Sequence, residues 1–179
     1  MGKIVVTEFV TLDGVIEAPG GGEGFKHDGW SFEISRGDEG DKFKLDETMQ
    51  SEALLLGRRT YEGFAAAWPS REGEFADKFN TMPKYVVSST LKDPDWSNTT
   101  VLEGDLADAV AKLKDAHEGD VQVPGSVQLV QELLDKPLFD ERVHESLTPV
   151  HENHAVGLFL QPRDVVHADD RRVVPFGVT

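Results

Sequence analysis

The sequence predicts an α/β domain built on a largely parallel sheet. Short apolar, β-branched runs alternate with stretches of helical spacing from Ile4 to Asp135, an order that places helices on both faces of parallel strands. At 179 residues, with no internal repeat, the chain is long enough to bury one substantial core and gives no sign of a second.

Ile4 to Val10 has strand composition, and Thr11-Leu12-Asp13-Gly14 ends it with a turn-forming Asp-Gly pair. Pro19-Gly20-Gly21-Gly22-Glu23-Gly24 is too glycine-rich for regular structure and reads as a mobile or ligand-adjacent loop. From Asp41 the spacing becomes helical, with Phe43, Leu45, Met49 and Ala53 as a broken apolar face leading into the buried strand Ala53 to Leu56. Gly57 stops that strand, Arg58 to Ala67 starts a helix, Gly73 to Phe79 is a short helix, and Lys84 to Ser88 is a buried strand after Pro83. Thr99 to Leu102 is a strand. Asp105 caps a helix through Lys114 that turns Leu106, Ala109, Val110 and Leu113 inward. Val121 to Val123 is a strand broken by Pro124-Gly125, and Ser126 caps an apolar helix ending near Asp135. Residues 139–150 read as one more strand, which Pro149 confines to an edge or ends. The domain is drawn at 1–150; residues 151–179 form an atypical tail with no organising periodicity and are expected to be poorly ordered.

Composition excludes several functions. Lys and Arg total 18 against 33 Asp and Glu, a formal charge of -15, which repels nucleic acid and anionic membrane alike. No apolar run approaches the roughly 20 residues of a spanning helix, and the start of the chain lacks the apolar region of a secretory signal. Met1-Gly2 does not extend to a myristoylation pattern, because Val6 stands where Ser or Thr is wanted. There is no cysteine, which removes disulfides, thiolate zinc sites and cysteine nucleophiles and favours a cytoplasmic location. A chain this acidic can hold an anion only with local basic groups and backbone amides.

Three segments offer such groups. Leu54-Leu55-Leu56-Gly57-Arg58-Arg59-Thr60 carries a strand through glycine into a helix start bearing two guanidiniums, an arrangement suited to a phosphate. Read plainly, it is a strand-to-helix turn with solvated arginines. Val87-Ser88-Ser89-Thr90 ends the next strand with three hydroxyls, which are either phosphate donors or ordinary turn residues. Val123-Pro124-Gly125-Ser126 gives way to a helix where backbone can approach a pyrophosphate. Three such segments at successive strand ends point to one crevice.

With Thr11-Leu12-Asp13-Gly14-Val15-Ile16 added, these segments, in this order and spacing, resemble the dihydrofolate-reductase-like family, in particular its branch related to the reductase domain of riboflavin biosynthesis. The resemblance runs from about Lys3 to Val150 and does not cover the tail; Pro124 departs from it by removing an amide donor. It implies a three-layer fold around a central mixed, mostly parallel sheet, and an NADPH-dependent oxidoreductase acting on a small pterin-, pyrimidine- or ribosylamine-like substrate. Carried over, Gly57, Arg58, Arg59 and Thr60 hold the adenosine-side phosphates, Ser88 and Ser89 the 2′-phosphate region, and Gly125 and Ser126 the pyrophosphate. Asp13 and Gly14 belong to the loop over nicotinamide and substrate, and a homodimer is expected. The rival is a non-catalytic ligand-binding or oligomeric protein that keeps the fold.

Protonation beside a hydride acceptor calls for a carboxylic acid or ordered water in a dry pocket. Asp41, near where folate reductases place their acid, and Asp13 are the candidates; a helix N-cap and a plain turn are their structural uses. Trp30 anchors the glycine loop or stacks on a substrate ring. His151 and His154, with His144 and Glu152 nearby, have metal-ligand chemistry but no evident scaffold, so no metal site is assigned.

Overall fold

Two adjacent strands whose following helices leave on opposite faces define the layout. The computed structural model describes residues 1–11, 15–22, 24–147 and 165–167, the segments 141–147 and 165–167 as backbone alone. The elements are β1 (Lys3–Thr11), α1 (Gly37–Gln50), β2 (Ala53–Gly57), α2 (Arg58–Ala67), α3 (Glu74–Thr81), β3 (Lys84–Val87), β4 (Thr99–Leu102), α4 (Leu106–Ala116), β5 (Asp120–Val123), α5 (Val127–Asp135), β6 (Glu141–Leu147) and β7 (Val165–His167), with a 3-10 turn at Trp30–Phe32. Across the sheet the order is β4-β3-β2-β5-β1-β6-β7. Every neighbouring pair is parallel except β6 with β7, so the sheet is mixed and mostly parallel, as the sequence predicts.

β2 shows why its residues read as one unbroken apolar run. Successive side chains alternate between faces, and both faces are covered. Ala53 and Leu55 join Ile4, Val6, Val121 and Val123 against Leu106, Val110 and Leu113 of α4 and Leu129, Val130 and Leu133 of α5. Leu54 and Leu56 pack with Val86, Tyr61 of α2, Phe79, Met82 and Trp96 on the other face. α2 and α5 therefore cover opposite faces although β2 and β5 are neighbours. Where two such helices diverge, the carboxyl ends of the strands are left with a crevice.

α1 departs from the sequence reading. It begins at Gly37, with Arg36 rather than Asp41 at the cap position. Its expected apolar face is not buried as drawn: Phe43 and Met49 are exposed, and Ala53 belongs to β2. The sheet beneath it is polar: Lys44 Nζ reaches Thr7 Oγ1 of β1 at 2.9 Å, and Gln122 Nε2 of β5 donates to Glu47 Oε2 at 3.2 Å. Polar side chains thus point inward, which defeats an apolar-periodicity argument. The strand expected within 139–150 is β6; it ends before Pro149, one of the two outcomes expected, and it is not an edge, since it pairs with β1 on one side and β7 on the other. In the tail, Val165–His167 forms β7; the rest of 151–179 lies outside the described residues.

The glycine loop is irregular but internally bonded. Gly22 and Gly24 donate their amides to Asp28 Oδ2 at 2.8 and 3.2 Å, and Ser31 Oγ donates to the Pro19 carbonyl at 2.6 Å. Asp105 caps α4 as expected, accepting from the amides of Ala107 and Asp108; these bonds hold its carboxyl below the usual range. Ser126 occupies the cap position of α5 but makes no side-chain capping bond, contrary to expectation.

Lys84, the first residue of the strand read as buried, is itself fully buried at the start of β3. Its ammonium donates to the carbonyls of Met82 (2.8 Å), Ser97 (2.9 Å) and Asn80 (3.3 Å) and lies 4.3 Å from the centre of the Trp96 ring. Those acceptors offset only part of the desolvation cost, and burial pushes its pKa down from the ordinary 10.5 to about 8. Between these values the unfolded chain holds a proton that the folded chain has released, so the contribution of Lys84 to stability rises with pH. We predict that the unfolding free energy of wild type minus that of Lys84→Met increases by roughly 3 kcal/mol from pH 8 to pH 10.5, measured by urea denaturation. A flat difference contradicts this.

Candidate functional site

The crevice between β2 and β5 is set by how closely two turns approach. The Gly57 amide donates to the Gly125 carbonyl at 3.2 Å. A methyl group on Gly57 would lie 2.1 Å from Ser126 Oγ and 3.0 Å from the Ser126 amide nitrogen. Gly125 has φ +133, a conformation that side chains resist, and a methyl there would sit 2.8 Å from Thr60 Oγ1. Glycine at both positions lets the first turns of α2 and α5 share one opening. Neither helix carries a side-chain capping bond at Gly57 or Ser126, so their leading amides keep donor capacity at that opening.

Above this junction lies a cleft of about 590 Å³. Of the residues singled out from sequence, Gly57, Arg58, Arg59, Ser88, Ser89 and Ser126 line it. Thr60 and Gly125 meet each other directly beside it. The Ser88 hydroxyl is used by its own turn, accepting from the amides of Thr90 (3.1 Å) and Leu91 (3.0 Å), whereas Ser89 is exposed. Arg58 pairs with Glu62 of the same helix at 2.7 Å. Arg59 has no ion-pair partner among the described residues, which leaves its guanidinium available to an anion.

Sequence reasoning missed four charged or polar lining residues: Lys92, Glu103, Gln128 and Glu132. Glu103 directly follows β4, and the strand-end argument extended by one strand would have found it. Gln128 and Glu132 lie one helical turn apart on α5, a spacing that puts them on one face.

Other expected site residues lie elsewhere. Asp41 is an exposed residue of α1 whose carboxylate accepts from Arg36 Nε at 3.0 Å, so it occupies a solvated ion pair and not a dry pocket. Trp30 is buried, with its indole N–H donating to the Glu17 carbonyl at 2.9 Å, which makes it an anchor of the glycine loop. Asp13 and Gly14 lie outside the described residues, as do His151, Glu152, His154 and the side chain of His144.

The Gly57 contact yields a direct test. Gly57→Ala should lower stability by about 2 kcal/mol, because Ser126 must shift to admit the methyl. Adding Ser126→Gly, which removes the nearest two atoms, should recover part of the loss in thermal denaturation. Full stability of Gly57→Ala alone contradicts the packing described.

Comparison with known proteins supplies the family. The RibD C-terminal domain model matches residues 2–146. No curated protein sequence matches the chain. Among solved structures, a Shewanella sp. PV-4 protein named for riboflavin biosynthesis aligns with TM-score 0.63 and 19% identity, covering 83% of this chain and 78% of that one. Dihydrofolate reductase from Enterococcus faecalis, complexed with NADP(H) and RAB-propyl, aligns with TM-score 0.54 and 16% identity over 84% of this chain and 73% of its own. The chain therefore belongs to the RibD C-terminal domain family and has the dihydrofolate-reductase-like fold that its strand-end segments imply.

Proposed function

We propose that this protein is an NADPH-dependent oxidoreductase that reduces a small pterin-, pyrimidine- or ribosylamine-like compound. One observation carries the reading: two helix starts without side-chain caps, one bearing Arg58 and Arg59, converge on a cleft at the carboxyl ends of parallel strands. That combination suits a polyphosphate, because oriented amides and a guanidinium with no ion-pair partner among the described residues supply positive potential where the acidic chain as a whole does not. The cleft volume falls within the range of small-molecule and cofactor sites. Membership of the RibD C-terminal domain family and the fold shared with an NADP(H)-bound dihydrofolate reductase support the choice of cofactor.

In this reading residues 1–150 form the cofactor-binding unit. NADPH supplies the hydride. The work of the chain is placement: Gly57 and Gly125 open the junction, the α5 amides and Ser126 receive the pyrophosphate, and Arg58, Arg59 and Thr60 hold the adenosine-side phosphates. Ser88 keeps its turn rigid, so that Ser89 stands at the 2′-phosphate end. Asp41 is poorly placed to deliver a proton, being solvated and paired with Arg36. A cytoplasmic homodimer accompanies the reading; among the described residues no helix is long and apolar enough to cross a membrane.

The rival reading, a binding protein without turnover, draws on one observation: the family match stops at residue 146 of 179. Substitution separates the two. Arg59→Ala should weaken NADPH roughly 10- to 100-fold, the scale of a lost charge-assisted hydrogen bond, and NADH less. Arg58→Ala should cost less than Arg59→Ala, since Arg58 must first leave Glu62. Fluorescence titration reads both; equal losses for the two cofactors, or none, overturn the phosphate assignment. NADPH binding with no oxidation against a panel of pterins and pyrimidines favours the rival.

A further inference from the structure

The far end of the cleft carries a charge pair that the phosphate reading does not use. β3 and β4 run parallel with Val87 opposite Leu102, so the residues that follow, Ser88 and Glu103, emerge side by side about one strand spacing apart. The Ser88 amide donates to the Leu102 carbonyl at 3.4 Å, which ties the two strand ends together. The turn bonded to Ser88 Oγ then brings Lys92 back over the cleft, where its ammonium lies 3.5 Å from Glu103 Oε1. Both side chains line the cleft and both are largely exposed, at 69% and 68%.

We infer that Lys92 and Glu103 set the discrimination between a 2′-phosphorylated and an unphosphorylated adenosine ribose, with Glu103 acting against the phosphate. The inference rests on the part of the reading above that puts an adenosine nucleotide in the cleft. A phosphate dianion beside Ser89 would be drawn by Lys92, but Glu103 already engages that ammonium and repels the same dianion. A ribose carrying hydroxyls meets no such opposition, because a carboxylate at a strand end accepts from both hydroxyls. Among the cations lining the cleft, Arg59 is held by no described carboxylate, so it supplies the main attraction for the 2′-phosphate, and the Lys92–Glu103 pair adjusts that preference. The protein is thereby a weaker discriminator than its two arginines suggest.

The test is a titration of wild type, Glu103→Gln and Lys92→Gln with NADPH, NADH, adenosine 2′,5′-bisphosphate and adenosine 5′-monophosphate. Exposed side chains of this kind are replaced with little effect on folding. Glu103→Gln should raise the affinity ratio of phosphorylated to unphosphorylated ligand roughly three- to fivefold, and Lys92→Gln should lower it by a similar factor, the scale of an exposed charge pair. Parallel changes for both ligand types, or no change, overturn the inference while leaving the dinucleotide site standing. If the two adenosine nucleotides bind and shift as stated but neither dinucleotide binds, the inference holds and the reductase reading fails. A folded wild type that binds none of the four overturns both.

Discussion

The contact between Gly57 and the Gly125–Ser126 turn is the constraint on which the site depends. β2 and β5 are hydrogen-bonded neighbours, and the helices that follow them part to opposite faces, α2 directly after β2 and α5 after the short turn 124–126. A side chain at Gly57 or Gly125 would wedge the two turns apart. The same absence of side chains that permits close packing leaves the helix amides pointing at a common opening. Fold and binding capacity therefore come from one steric fact at the middle of the sheet.

Electrostatics divide the cleft into two regions. Near the junction, oriented amides and Arg59 make local positive potential within a chain whose formal charge is -15. Two other cations of the cleft are paired: Arg58 is held by Glu62 and Lys92 by Glu103. Arg58 and Arg59 are both exposed, so an anion entering from solvent meets one guanidinium already paired and one that no described carboxylate holds. Charge pairs as exposed as these are weak and screened by salt.

Local chemistry made much of this legible in the sequence. Gly57 followed by Arg58 and Arg59 marked the start of α2, Asp105 marked α4, and the run from Val127 to Leu134 carried its own apolar face for α5. What escaped depended on partners distant in sequence. α1 was misjudged because Thr7 and Gln122, far apart in the chain, make the sheet beneath it polar. Lys84 falls in a strand the sequence marks as buried, but the carbonyls of Asn80, Met82 and Ser97 that receive its ammonium are not legible from that segment. Lys92 and Glu103 meet only because β3 and β4 are neighbours, a pairing no single segment discloses.

The most direct test of the central claim, that a polyphosphate sits on the shared helix starts, is an amide chemical-shift titration of the isotope-labelled protein with NADP+. The account predicts the largest shifts at the amides of Gly57 to Thr60 and of Gly125 to Gln128, with a smaller set at Ser88 to Thr90. Saturable binding whose shifts avoid both helix starts, or no binding by the folded protein, would contradict it.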